Sequence, residues 1–379
     1  MITTKQKTKN ENKEILDEMQ LIFSWNENTY KQYKFSLNHY SNFQQMNITD
    51  LLQEAEIEEE IINKLSKRTI KKRLIQYRLY LQRQGKSANT IKHYTSRILK
   101  VYRYFDIEVP ALPPIKADVS ETFNDIPTKE EIKSAILHSR TKMKAIISFI
   151  ASTGLRRSDV SNLTVNDFIN ATKEYHTSID IINCMQQLTI KIKKQELIIP
   201  TWDITSIKTG TRHITFSSHE STIYILQFLR ERLMKKGIIE NEKLFDVGEQ
   251  TITTNFRNLN DRLNFGWKTN RRKFHPHSLR KFFATTLTNN DVDYLATEFL
   301  VGHKLSSVTS SYYFADPMKL KNKYIRVMHH LTFTIELTFI DVTSNEKKEL
   351  DQLRRYKAES EQRILQLEEM VNLIQNSIK

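Results

Sequence analysis

The residues best able to do chemistry lie between His275 and Phe314, where His-Pro-His-Ser-Leu-Arg is followed by Val-Gly-His and then by Ser-Ser-Tyr-Tyr-Phe. His277 and Arg280 are three apart on what reads as the first turn of a helix, so both side chains can point at one spot. That spot would suit an anion. The helix would run on through Phe282, Phe283 and Leu287 with its apolar side buried, and Asn289-Asn290-Asp291 would break it. A second helical run, Tyr294 to Leu300, stops at Gly302, which can take the left-handed conformation a helix end often needs. His303 then sits just past a helix end, and Tyr312 follows nine residues on. Arginine, histidine and a hydroxyl nucleophile, with no metal-ligand pattern nearby, are the parts needed to break a phosphodiester through a covalent intermediate.

Two upstream stretches could bring further groups to the same anion. Met143 to Ser152 reads as a mostly apolar helix running into Thr153-Gly154-Leu155-Arg156-Arg157-Ser158-Asp159. Gly154 allows a sharp turn there, and the helix that follows would present its first amides and Arg156 toward one face. Alone, an Arg-x-x-Asp pair is more often a surface salt bridge. Further on, Ile198 to Ile204, Ser206 to Thr211 and Arg212 to Phe216 alternate and are β-branched, which predicts a hairpin carrying Lys208 beside a Thr-Gly-Thr turn. Spacing alone does not separate a catalytic Lys208 from one that guards a sheet edge or merely touches phosphate.

In this order and spacing the boxes resemble those of the tyrosine recombinase (integrase) family. His277-Ser-Leu-Arg280 matches its His-x-x-Arg box, Thr153 to Asp159 its Thr-Gly-Leu-Arg-x-Ser-Glu/Asp box, and Val301-Gly302-His303 its Leu-Gly-His box with valine for leucine. The resemblance implies that Arg156 and Arg280 are catalytic arginines, that Asp159 orients the first, and that Lys208 is the catalytic lysine. It also implies Tyr312 as nucleophile; spacing from the Gly-His box favours it over Tyr313. The resemblance covers about residues 20 to 315.

Attack on a DNA phosphate builds negative charge on the non-bridging oxygens, which planar guanidinium groups hold without deprotonating. His277 and His303 could donate hydrogen bonds to the phosphate or help deprotonate Tyr312. Lys208 would protonate the leaving 5′ oxygen, a role helped if neighbouring arginines lower its pKa. A phenol with an ordinary pKa of about 10 also needs its phenolate stabilised. The resulting 3′-phosphotyrosyl bond would preserve the energy of the broken linkage, so rejoining would need no nucleotide cofactor and no metal. Neither a Gly-x-x-x-x-Gly-Lys loop nor an acidic cluster assignable to a two-metal site is legible.

These groups need a scaffold. A chain of 379 residues suits two domains, and only 7 Gly and 7 Pro favour a mostly helical protein. The formal charge of +14 attracts polyanions, with double-stranded DNA ahead of an anionic membrane surface. No apolar run approaches a spanning helix and the first residues lack a signal-peptide core, so a cytoplasmic, nucleoid-associated protein is expected. The single cysteine, Cys184, excludes an intramolecular disulfide and a thiol metal cluster and reads as a packing residue.

The expected fold is mainly α with a small antiparallel β-sheet, arranged as a two-domain clamp. Residues 1–20 read as a frayed polar tail. Residues 21–107 form a helical bundle, with apolar stripes such as Ile70, Leu74, Tyr77 and Leu81, and Ile91, Tyr94, Ile98 and Val101. Its Lys71, Lys72, Arg73 and Arg78, and later Arg271, Arg272 and Lys273, read as phosphate contacts or as solvated charge. Residues 108–125, with Pro110, Pro113 and Pro114, read as a linker. Residues 126–330 form a second domain opened by a Thr128 to Glu131 capping box. Within it, residues 169–200 read as a variable insertion of strands, or of a short helix plus strand. Residues 331–379 read as a strand and an amphipathic or coiled-coil helix, with Leu350, Leu353, Lys357, Ser360, Ile364, Leu367, Val371, Ile374 and Ile378 on a heptad seam. The seam helix could pack on its own domain or on a neighbouring protomer.

By resemblance the bundle is a core-binding domain and the second domain is catalytic. Asp316-Pro317 and the C-terminal features look most like Xer-like archaeal members. The implied protein is a site-specific recombinase acting in integration, excision or resolution, as a homo-tetramer on paired DNA sites, with a possible accessory directionality protein. The alternatives are a type IB topoisomerase, which would need no paired sites, and a DNA-binding protein of the same fold that has lost catalysis.

Overall fold

The computed structural model describes residues 4–116, 125–239, 241–268, 271–304 and 316–335. Tyr312, Tyr313 and the heptad seam lie outside the described residues. The chain divides into two units, Met1–Glu121 and Thr122–Lys379.

Among the described residues the first unit holds five α-helices: α1 (Thr4–Ile22), α2 (Glu27–Gln44), α3 (Ile48–Ile61), α4 (Thr69–Arg83) and α5 (Ala88–Tyr104). Side-chain caps start three of them: Asn26 accepts from the Thr29 amide, Asn47 from the Asp50 amide and Ser87 from the Thr90 amide. Leu37, Tyr40, Leu74, Tyr77, Ile98 and Val101 close the core between them.

Two sequence expectations are corrected here. The supposed frayed tail is α1: it buries Leu16 and Met19 in this core, and its Asp17 accepts from the Tyr30 hydroxyl at 2.6 Å. Its apolar residues are few among Lys, Glu and Asn, yet Ile15, Leu16 and Met19 fall on one side, and that side is what docks. The supposed linker begins as docked chain. Val109, Leu112 and Ile115 pack on the core, and Arg78 donates to the Pro113 carbonyl at 2.7 Å. An extended segment with regularly placed prolines shows no helical period even when it lies against a protein surface.

The second unit is built around α7 (Thr141–Thr153), whose residues from Ala145 to Thr153 are all buried. It opens with α6 (Lys129–Leu137), where the Thr128–Glu131 capping box is formed in both directions. After α7 come α8 (Arg157–Asn162), α9 (Val165–Ala171), α10 (Ile181–Lys193) and an antiparallel hairpin of β1 (Thr201–Thr205) and β2 (Arg212–Phe216), paired Thr201 to Phe216 through Thr205 to Arg212. The helices α11 (His219–Lys236) and α12 (Glu249–Arg262) precede a second short hairpin, β3 (Trp267–Lys268) and β4 (Arg271–Arg272). The described chain continues with α13 (Pro276–Asn289), α14 (Tyr294–Leu300) and α15 (Pro317–Val327). Both α11 and α13 pack on α7. The fold is mainly α with small antiparallel sheets.

The region expected to hold strands is helical. Asp180 caps α10 by accepting from the Ile182 and Asn183 amides, and Ile181, Cys184, Met185 and Leu188 are buried at helical spacing. Its β-branched residues suggested strands, but Ile182 and Ile190 lie on the exposed side of this helix. Burial pushes the Cys184 thiol up to about 11, in keeping with a packing role.

The strand expected from Leu331 does not start there. Met328–Leu331 is a 3-10 turn, and the Phe333 and Thr334 amides donate to buried Glu220 at 2.7 and 2.6 Å. A carboxylate takes the donors that a neighbouring strand would have used. Among the described residues no helix is long and apolar enough to cross a membrane.

Candidate active site

Two glycines shape the site. Gly154 ends α7 at φ +67°, and a Cβ there would stand 2.3 Å from Phe283 on α13. Gly302 follows α14, also at φ +67°, and its Cβ would stand 2.4 Å from the His213 ring on β2. Only glycine offers both the left-handed turn and the missing side chain at these contacts. In each case the carbonyl is taken by an arginine.

Arg156, the residue before α8, donates through Nη2 to the Gly302 carbonyl at 3.1 Å and through Nη1 to Ser206 Oγ at 3.1 Å. Arg280, on the first turns of α13, donates through Nη1 to the Gly154 carbonyl at 2.7 Å. Its side chain is buried and its Nη2 meets no partner among the described residues. Burial, then the nearby Arg156 charge, lower the Arg280 pKa to about 10. An unpaired, buried guanidinium nitrogen is costly unless an anion completes it.

Asp159 is buried and lies 4.0 Å from Arg156 Nη1, a loose ion pair. Its firmer contacts are to the β1–β2 hairpin: Oδ1 accepts from the Ile207 amide at 3.0 Å, and Oδ2 from Ser206 Oγ at 3.4 Å. Asp159 therefore holds the backbone one residue before Lys208. The hairpin closes by Ser206 N to Thr211 O and Gly210 N to Ser206 O, leaving Lys208 exposed at its tip.

His277 lies on the first turn of α13 and is an exposed residue. Partial desolvation, then His275, Arg280, Arg271 and His303, lower its pKa to about 4, so the imidazole is neutral at pH 7. His303 follows the Gly302 turn with its Nδ1 2.8 Å from Glu298 Oε2. That contact places a proton on Nδ1 and turns Nε2 outward. His213 is buried, with neither ring nitrogen partnered among the described residues. Desolvation lowers its pKa; the Thr211 backbone and the Asp159 charge oppose that shift, and the Arg156 and Arg280 charges add to it.

The structure thus gathers Arg156, Asp159, Arg280 and the Gly302-His303 turn into one cluster, with His277 within electrostatic reach and the Lys208 hairpin anchored from below. The supposed phosphate contacts divide. Arg272 is held by Asp261 at 2.6 and 2.8 Å beneath the Trp267 ring, and Lys273 by Glu131 at 2.7 Å, while Arg271 is exposed. In the first unit Arg73 is bound to Glu54 at 2.8 Å and Gln44 at 2.9 Å, and Arg78 to Pro113, while Lys72 is exposed and Lys71 half-buried. Arg73, Arg78, Arg272 and Lys273 thus each have an intramolecular partner, whereas Lys72 and Arg271 are exposed. A basic residue beside a helix stripe can reach an acidic partner on the next helix, which a charge run does not reveal.

Sequence reasoning missed Ser206, His213 and Glu298. The five-residue separation of Glu298 from His303 across a helix end was a usable signal; nothing local marked the other two.

Residues 126–319 match the model of the phage integrase family. The chain is 23% identical over 240 residues to the tyrosine recombinase XerA of Saccharolobus solfataricus, covering 63% of this chain and 68% of that protein. It is 22% identical over 267 residues to the tyrosine recombinase XerD of Halalkalibacterium halodurans, covering 66% and 79%. In fold it is similar to lambda integrase (75–356), solved as a dimer bound to a COC′ core site, with a TM-score of 0.50 and 14% identity over 87% of this chain and 99% of that one. The chain belongs to the phage integrase family of tyrosine recombinases.

Proposed function

We propose that this protein is a site-specific recombinase that cuts and rejoins double-stranded DNA through a 3′-phosphotyrosyl bond to Tyr312, acting on DNA in the cytoplasm. The observation that carries the reading is the Arg156–Arg280 pair. One guanidinium is fixed by Ser206 and Gly302, the other is buried with a nitrogen unpartnered among the described residues, and the buried carboxylate of Asp159 lies beside them. This is a preorganised cradle for the non-bridging oxygens of a phosphate.

His277 and His303 donate to the same phosphate or take the phenol proton, and Lys208 protonates the leaving 5′ oxygen. The first unit serves as the core-binding domain, with Lys71 and Lys72 on phosphates, and Arg271 contacts the duplex near the site. Strand exchange calls for four copies on paired sites, and an accessory protein would set direction.

The test is covalent trapping on a nicked suicide duplex carrying the target site, with wild type, Tyr312→Phe and Tyr313→Phe compared side by side. Wild type and Tyr313→Phe form the adduct and Tyr312→Phe does not. Loss of the adduct in Tyr313→Phe with retention in Tyr312→Phe moves the nucleophile by one residue. Relaxation of a supercoiled plasmid lacking paired sites would favour a type IB topoisomerase instead.

A further inference from the structure

We propose that Ser206 is a positioning residue that fixes the Lys208 hairpin for leaving-group protonation; the proposal rests on the recombinase reading above. Its side chain is buried, with the residue 1% exposed, and its hydroxyl is used twice. Oγ accepts from Arg156 Nη1 at 3.1 Å and donates toward Asp159 Oδ2 at 3.4 Å. A hydroxyl can do both at once, and few other small side chains can.

Its backbone closes the turn as well. The Ser206 amide donates to Thr211 at 2.9 Å and its carbonyl accepts from the Gly210 amide at 2.8 Å, so all four contacts lie within two residues of Lys208. The next amide, Ile207, donates to Asp159. Through Ser206 the hairpin is tied to the arginine that meets the phosphate. Lys208 itself is exposed, on a long flexible stem, so the base of the hairpin is what sets where its ammonium can reach.

The chemistry separates this role from a merely structural one. In cleavage the bond from the Tyr312 oxygen to phosphorus forms as the bond to the 5′ oxygen breaks. The phenol proton passes to His277 or His303, and the 5′ oxygen takes a proton from Lys208. With sulfur in place of that bridging oxygen, the 5′ thiolate leaves without a proton, so a defect confined to Lys208 placement disappears.

Single-turnover cleavage is measured on suicide duplexes carrying either 5′ oxygen or 5′ sulfur at the scissile phosphate, with thermal midpoints recorded for each variant. Ser206→Ala slows oxygen cleavage on the order of ten-fold and sulfur cleavage several-fold less, the residual sulfur defect being that of the loosened Arg156. Lys208→Ala shows the same pattern with a larger loss, and Ser206→Thr, which keeps the hydroxyl, recovers most of the oxygen rate. An undiminished Ser206→Ala rate on oxygen, or equal slowing on both duplexes, overturns the proposal while leaving the recombinase reading intact. Equal slowing of Lys208→Ala on both overturns the general-acid role and the Ser206 proposal together. Failure of the wild type on either duplex counts against the recombinase reading itself.

Discussion

Arg156 and Gly302 stand 146 positions apart in sequence and are joined by a 3.1 Å hydrogen bond from guanidinium Nη2 to the glycine carbonyl. The bond exists because Gly302 turns left-handed at the end of α14 and lies flat against the buried ring of His213. One backbone carbonyl therefore connects the first arginine, the hairpin strand β2 and the turn that delivers His303.

Gly302→Ala should break this junction. The new Cβ meets the His213 ring at 2.4 Å and the backbone is strained at φ +67°, which together cost about 2–4 kcal/mol. Adduct formation falls further than stability does, because the carbonyl that holds Arg156 Nη2 is displaced. Adding His213→Ala removes the clash and restores part of the unfolding free energy, leaving the backbone strain. A double-mutant cycle in denaturant measures this, and strictly additive losses would show that the ring does not press on the glycine.

Arg280 separates stability from activity. Its charge is buried, one nitrogen lacks a partner among the described residues, and its pKa of about 10 lies below the ordinary arginine value, so the charged form costs folding free energy at neutral pH. Arg280→Met should leave the thermal midpoint unchanged or raise it while reducing cleavage by at least about 100-fold. Sulfate should raise the midpoint of the wild type more than that of the variant. A variant that unfolds earlier and still cleaves would contradict the anion-cradle assignment.

How much of this was legible beforehand depended on whether the determining contacts were local. The α13 turn carrying His277 and Arg280, the Gly154 and Gly302 helix ends and the Thr128 capping box are each set within a few residues, and sequence shows them directly. Ser206 and His213 carry no such mark. Their importance comes from Asp159, Arg156 and Gly302 arriving from elsewhere in the chain, and a serine before a lysine looks like any turn residue. The α10 helix was obscured by β-branched residues that packing overrides, and α1 by a composition too polar to announce a one-sided core face.

The division among basic residues predicts two distinct phenotypes on one helix. Lys72 is exposed, whereas Arg73 is tied to Glu54 and Gln44. Lys72→Ala should weaken binding to any duplex and lower the salt dependence by about one ion, with the thermal midpoint unmoved. Arg73→Ala should lower stability by about 1–3 kcal/mol, since it takes the guanidinium donors away from Glu54 and from Gln44 Oε1, and leave the salt slope unchanged. Binding measured across a salt series, with melting curves in parallel, distinguishes them; interchanged phenotypes would refute the assignment.

His277 predicts how stability responds to acid. Its folded pKa, lowered to about 4 by partial desolvation and by the surrounding cations, lies below the value of about 6.5 expected in the unfolded chain. Between those values the unfolded chain binds the extra proton, so stability contributed by this site is present above about pH 6.5 and declines as pH falls toward 4. His277→Gln removes that dependence, while His213 and His275, also lowered, remain in both proteins. The wild-type midpoint should therefore fall more steeply than the variant's between pH 7 and pH 4. Sulfate, by supplying the missing negative charge, should narrow the gap by raising the folded pKa. Parallel curves with and without the histidine would mean that the ring is neither desolvated nor surrounded by cations in the folded protein.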